Sequence, residues 1–302
     1  MIPVCLVTGF LGSGKTALLR HIARQHAGQR LVFLVNEFAA VDVDGPVLEH
    51  DAPGRVLGLP GGSIFCTCLV SEFIRVLKEL PDRFGADIDG VVIEASGVAN
   101  PKVVTRMLAE TRLDEVYRIA SVIAVADPGT FATLLQTLPN LRAQIEASDH
   151  VLVNKSDLFD EEVLRATEGA ACEINPAAAV TRTQYGHIDL DLFSGSTPRR
   201  VAGEYAQCRD PNYAKASVRF TRPVDLARFL PALESFGPSL YRAKGFVPTP
   251  NGVFYVDVSS SGVQTKLLPE FAGPANLAII TSPDAAQQAA ALVADIKAGR
   301  FY

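Results

Sequence analysis

The chain has 302 residues, 48% of them hydrophobic, with a formal net charge of −5 and a pI of about 5.6. That length supports one large domain or two, and an acidic balance without any basic block argues against nucleic acid as a partner. No apolar run approaches the ~18 residues that cross a bilayer, no cationic leader precedes the first apolar run, and five cysteines do not make a disulfide scaffold; a reducing cytoplasm without membrane attachment is the expected setting.

Up to residue 193, compact runs rich in Val, Ile and Leu (4–8, 31–35, 91–94, 121–126, 150–153) alternate with helical stretches (15–26, 71–80, 101–109, 161–172). Each run has the pattern of a strand buried on both faces, and the alternation predicts an α/β fold with a doubly wound, mostly parallel sheet over residues 1–193. Residues 194–213, opening on Ser194-Gly-Ser-Thr-Pro198, have linker composition. From 214 to 302 the rhythm changes to strands at 217–220, 252–259 and 276–281 with a helix at 223–235. A last helix is predicted to open at Ser282-Pro283-Asp284, a capping residue with proline at the first helical position. This second stretch is expected to form a smaller C-terminal α+β domain.

Gly9-Phe-Leu-Gly12-Ser13-Gly14-Lys15-Thr16 matches the P-loop pattern in full, between a predicted strand and a predicted helix that continues with Ala17. Its glycines let backbone N–H groups curl around phosphate at a helix N-terminus, Lys15 reaches the β- and γ-phosphates, and the Thr16 hydroxyl holds Mg²⁺. The α/β stretch is therefore expected to be a P-loop NTPase domain. Asn154-Lys155-Ser156-Asp157 follows a later strand. A carboxylate at Asp157 accepts hydrogen bonds from guanine N1–H and N2–H₂, a donor pair adenine lacks. Lys155 lays its stem against the base and Asn154 braces the loop. Between the two motifs, Glu94 ends a strand where a Mg²⁺ contact is needed, and Gly97 lets a backbone N–H approach the γ-phosphate; Glu94 stands where the commoner motif has Asp. GTP and Mg²⁺ are the expected ligands, with Lys15, Thr16, Glu94 and Gly97 carrying the chemistry.

Together, the P-loop, Val35-Asn36-Glu37-Phe38, Glu94-Ala-Ser-Gly97-Val-Ala-Asn-Pro101 and the Asn154–Asp157 motif resemble the CobW family of P-loop metal-chaperone GTPases. The likeness extends to Asn175-Pro176, which in such proteins sits near the guanine, and to Arg242-Ala-Lys244-Gly245-Phe in the second domain. The resemblance implies slow GTP hydrolysis coupled to delivery of a metal ion, Zn²⁺ or Co²⁺, to a client metalloprotein. It also places Glu37, Asp42 and Asp44 in a segment that senses the γ-phosphate. The two aspartates equally fit a solvated acidic loop.

The family's Cys-x-Cys-Cys metal motif is depleted here, in Gly61-Gly62-Ser63-Ile64-Phe65-Cys66-Thr67-Cys68. If Gly62 aligns with the family glycine, Ser63 and Phe65 replace the first two cysteines and Cys66 is retained. A shifted register matches Cys66 and Cys68 to the first two and loses the third. The first keeps the Gly and Ile neighbours and is preferred. Cys66 and Cys68, two apart on one strand face, could supply two thiolates, with Glu37 or an imidazole completing the sphere. Alternatively, both are small buried hydrophobes. Cys5, Cys172 and Cys208 lack ligand-spaced neighbours and have a structural or incidental character. A GTP switch that regulates or assembles a partner without metal is the competing reading, and a small-molecule kinase leaves Asp157 unexplained. Client, metal and oligomeric state stay open at this stage.

Overall fold

The computed structural model describes residues 1–37, 48, 50–60, 70–85, 87–97, 99–195, 212–259, 262–269, 271 and 273–302; of Glu37 and Pro60 it describes the backbone alone. The described residues fall into two compact units, one reaching to 195 and one starting at 212. Asp42, Asp44, Cys66, Cys68, Cys208 and nearly all of the expected linker lie outside them.

The first unit is a seven-stranded, wholly parallel sheet in the order β3-β2-β4-β1-β5-β6-β7. Its strands are β1 (Ile2–Thr8), β2 (Leu31–Glu37), β3 (Val56–Pro60), β4 (Gly90–Glu94), β5 (Tyr117–Ala126), β6 (His150–Val153) and β7 (Ala179–Arg182). Helices α1 (Lys15–Gln25), α2 (Val70–Phe84), α3 (Val103–Glu110), α4 (Pro128–Thr137), α5 (Pro139–Ala147) and α6 (Glu161–Ile174) connect them. Val-, Ile- and Leu-rich strands such as β1, β4 and β6 are buried along almost their whole length because apolar layers cover both faces. One core packs Phe73, Leu77 and Leu80 of α2 and Val103, Val104 and Met107 of α3 on Val4, Leu6, Val91 and Ile93. The other packs Leu18, Leu19 and Ile22 of α1 on Cys5, Val7, Phe33 and Val92. The chain winds first to one side of β1 and then to the other, so the crevice at the carboxyl ends of the central strands is where a ligand belongs in such a sheet.

Helix α2 passes the predicted end at residue 80 and continues through Pro81. Proline has no N–H to donate to the Leu77 carbonyl, and the buried Tyr117 hydroxyl donates to that carbonyl instead, at 2.7 Å. Burial accordingly pushes the Tyr117 hydroxyl pKa well up.

The second unit is an antiparallel five-stranded sheet, β11-β10-β9-β12-β8. It is built from β8 (Ala214–Arg219), β9 (Leu240–Thr249), β10 (Gly252–Ser259), β11 (Gly262–Leu268) and β12 (Asn276–Thr281), with α7 (Leu226–Glu234) and α8 (Ala286–Lys297). Alternation sends Val218, Ala243, Val247, Val256, Val258, Leu277 and Ile279 into one core with Phe229 and Leu233 of α7 and Leu292 and Ile296 of α8. This is an α+β arrangement, as expected. The expected start of the last helix needs correction: 283–285 form a 3₁₀ turn, α8 begins at Ala286, and Ser282 Oγ caps nothing among the described residues.

Candidate functional site

The P-loop leaves β1 at Thr8 and enters α1 at Lys15, at the carboxyl edge of the sheet. Gly14 holds φ 106°, and a Cβ there would lie 2.1 Å from Asn154 Nδ2, so only glycine fits. Lys15 is buried; its ammonium donates to the carbonyls of Gly9 (2.9 Å) and Phe10 (3.2 Å) and stands 4.0 Å from Glu94 Oε1. Gly9, Gly12, Ser13 and Gly14 thus lie in the loop, and Lys15, Thr16 and Ala17 in the first turn of α1. The hydroxyls of Ser13 and of Thr8, which ends β1, are buried and meet no hydrogen-bond partner among the described residues. Buried polar atoms are almost always satisfied. Two orphaned hydroxyls next to a buried lysine therefore fit a bound phosphate with its Mg²⁺.

Glu94 ends β4, in register with Val7 of β1 and Val35 of β2. Gly97, three residues on, packs against the P-loop: a Cβ there would lie 2.6 Å from Leu11 N. The backbone of Glu37 ends β2 on the same edge, and Asn36 ties that strand to β3 through its Nδ2 on Leu59 O at 3.2 Å. After residues 38–47, Asp51 fastens the chain to α1 by accepting Arg20 Nε at 2.7 Å and Arg24 Nε at 2.9 Å. Burial opposes its ionisation, but the two guanidiniums outweigh that and lower its carboxyl pKa.

Asn154, fully enclosed after β6, joins two loops. Its Nδ2 donates to Ser13 O at 2.8 Å and its Oδ1 accepts Gly186 N at 3.1 Å. Lys155 takes a left-handed backbone (φ 58°) and sets its ammonium 2.6 Å from Asp127 Oδ2. Asp157 is exposed at the same edge. The P-loop residues, Glu94, Gly97, Asn154, Lys155 and Asp157 therefore come together.

Asn175 does not, and its expected place by the guanine is corrected. Its Nδ2 donates to Ile145 O (2.9 Å) and Ser148 O (2.8 Å), just before β6 begins, and its Oδ1 accepts Ala177 N. From Ser148 to Asn154 the strand climbs roughly 20 Å at ~3.3 Å per residue, so Asn175 braces the opposite edge of the sheet.

Two parts of the site escaped sequence reasoning. One is Asp127, which caps α4 through Gly129 N (3.1 Å) as well as holding Lys155. Its signal was visible as Asp127-Pro128, a cap followed by proline. The other is the turn 183–187 after β7. Thr183 O accepts both Ser156 N and Ser156 Oγ, Thr183 Oγ1 donates to His187 O, and Gly186, at φ 70°, lies against the Leu18 backbone of α1. No motif marks this turn; tertiary packing alone puts it beside Asp157.

A family model described as "CobW/HypB/UreG, nucleotide-binding domain" matches residues 3–182. The chain belongs to the CobW/HypB/UreG family. Among curated relatives, the zinc chaperone CobW of Pseudomonas aeruginosa is 34% identical over 225 residues, covering 64% of this chain and 60% of that one. The zinc-regulated GTPase metalloprotein activator 1 of Schizosaccharomyces pombe is 30% identical over 226 residues, covering 70% of this chain and 54% of that one. The chain thus spans little more than half the length of these relatives. The Zn(II)-bound YjiA GTPase of E. coli aligns over 98% of each chain at 21% identity, with a TM-score of 0.48. Among the described residues no helix is long and apolar enough to cross a membrane, and no group of three or more His, Cys, Asp or Glu side chains is gathered for a metal ion.

Proposed function

We propose that this CobW/HypB/UreG-family chain binds and hydrolyses GTP and couples its nucleotide state to delivery of a metal ion to a client metalloprotein in the cytoplasm. The observation that carries the nucleotide half is Asn154, which links the phosphate loop at Ser13 to the turn at Gly186 beside Asp157. One side chain therefore joins the phosphate end to the base end. Lys15 leaves its carbonyl partners for the β- and γ-phosphates, and Thr16 with Glu94 holds the magnesium ion. When bound, that ion would supply positive charge to offset the negative charge of the phosphates. The Gly97 N–H donates to a γ-phosphate oxygen, and water attacks the γ-phosphorus as its bond to the bridging oxygen of GDP breaks, giving GDP, phosphate and a proton.

The metal half is supported by the names of the relatives, zinc chaperones and a zinc-regulated activator, which favour zinc over cobalt as cargo. Cys66, Cys68 and Glu37 are the proposed donors. A second reading has its own support: in the preferred register Ser63 and Phe65 replace the family's first two cysteines, and in the shifted one the third is lost, which suits a GTP switch that works on its partner without metal.

Cobalt and zinc titration of the chain loaded with Mg²⁺ and a non-hydrolysable GTP analogue separates the two. A cobalt–thiolate absorption band that disappears in Cys66→Ala is the expected result. Absence of any thiolate band, with GTP hydrolysis retained, transfers the case to the metal-free switch. GTP binding no tighter than ATP binding rejects both.

A further inference from the structure

Helix α5 runs almost directly into β6, and its Gln144 is fully buried. The side-chain Nε2 donates to Gly97 O at 3.2 Å and to Ala99 O at 3.1 Å. Turning the amide over would set its oxygen against two carbonyls, so this orientation is dictated by its neighbours. Ala99 N in turn donates to Ser96 O at 2.9 Å, closing the turn that carries Gly97. Two residues further along α5, Glu146 accepts Lys102 Nζ at 2.6 Å, so the helix grips the segment at both ends. Gln144 Oε1, meanwhile, is buried and meets no donor among the described residues. An amide left half-satisfied is a poor choice for stability alone, where a leucine would avoid the desolvated acceptor.

We propose that Gln144 is the positioning residue for the γ-phosphate contact. It holds the Gly97 turn at the height where the Gly97 N–H meets GTP, and its spare oxygen receives an N–H of that turn when the turn shifts. Both arrangements of the turn then have a partner on α5, a condition for a two-state element. This inference rests on the reading of Gly97 given above.

The test compares Gln144→Met, which keeps length and removes both polar atoms, with Gly97→Ala and the native chain. The readouts are affinity for fluorescent GDP and for a fluorescent non-hydrolysable GTP analogue, kcat and KM for GTP, and Tm. In Gln144→Met the expected result is GDP affinity within about 2-fold of native, a loss of about 10-fold in preference for the analogue, and kcat about 10-fold lower at little-changed KM. Equal loss of GDP and analogue binding, or unchanged kcat in a folded variant, overturns the proposal. If Gly97→Ala loses analogue preference while Gln144→Met keeps it, Gln144 alone is rejected; if Gly97→Ala keeps both preference and hydrolysis, the reading of Gly97 fails with it. Should Gln144→Met not fold, hydrogen exchange on the native chain decides. Peptides covering 95–102 and 139–147 are expected to gain protection together when the analogue replaces GDP, and a response confined to 95–102 rejects the coupling.

Discussion

At the residue scale, the base choice proposed above rests on the hydrogen-bond pattern offered by Asp157. A carboxylate presents two acceptors to the two guanine donors, whereas an asparagine presents one acceptor and one donor. Asp157→Asn sets an amine against the guanine amine and matches xanthine, whose C2 carries a carbonyl. Its GTP affinity is expected to fall about 100-fold or more, in line with the ~3 kcal/mol attached to a lost charge-assisted bond with a mispaired partner. Xanthosine triphosphate should bind better than to the native chain. Competition against a fluorescent GDP measures both, and parallel loss of the two nucleotides would remove Asp157 from the base site. Asp157 could be singled out from its motif because the chemistry is contained in four adjacent residues. Asn175 was misplaced for the opposite reason: its role depends on which edge of the sheet its loop meets, and carbonyls at 145 and 148 hold it at the far one.

At the element scale, two junctions carry measurable energy. Tyr117 of β5 caps the carbonyl that Pro81 leaves unserved in α2. Tyr117→Phe orphans that carbonyl in a buried place and is expected to lower stability by about 1–2 kcal/mol in urea unfolding. An unchanged midpoint would mean that water reaches Leu77 O. Gly186 combines a left-handed backbone with contact on Leu18. Gly186→Ala should cost about 1–3 kcal/mol of local strain and weaken GDP binding without touching the nucleotide, as isothermal titration would show. Undiminished GDP affinity separates the 183–187 turn from the base site. The strands read from sequence were continuous apolar runs and, in β10, an alternating one. Those missed were β3, β7, β9 and β11, and the reasons are physical. Strand β7, at the edge of its sheet, is exposed at alternate residues and only four residues long. In β9, the core-facing Ala243 and Gly245 are too small to read as an apolar face, and the charged Arg242 and Lys244 alternate with them on the opposite face.

At the scale of the whole molecule, acid stability has an identifiable source in the second unit. Asp257 of β10 accepts Arg242 Nη2 at 2.7 Å and the Tyr255 hydroxyl at 2.9 Å. Burial by itself raises its carboxyl pKa; the Arg242 and Lys244 charges and these hydrogen bonds more than reverse that, taking it from 3.8 to about 2. A folded-state pKa below the unfolded one stabilises above the unfolded value and is lost as pH falls through the folded one. About 2 kcal/mol should therefore disappear between pH 4 and pH 2. Melting curves of the full chain against pH should show that slope, and Asp257→Asn should flatten it at the cost of lower stability near neutrality. An identical slope in the variant would place the acid sensitivity elsewhere.

From the sequence alone came the α/β class, the α+β character of the second part, and the phosphate and guanine motifs, because each is encoded in local periodicity or in a few adjacent residues. Tertiary structure alone decided which turn holds Ser156 beside Asp157, that Asp127 holds Lys155, that Asn175 serves the far edge, and that Gln144 reaches the Gly97 turn from 45 or more positions away. These depend on strand order, and strand order follows from packing both faces of one sheet, which no short window of sequence contains.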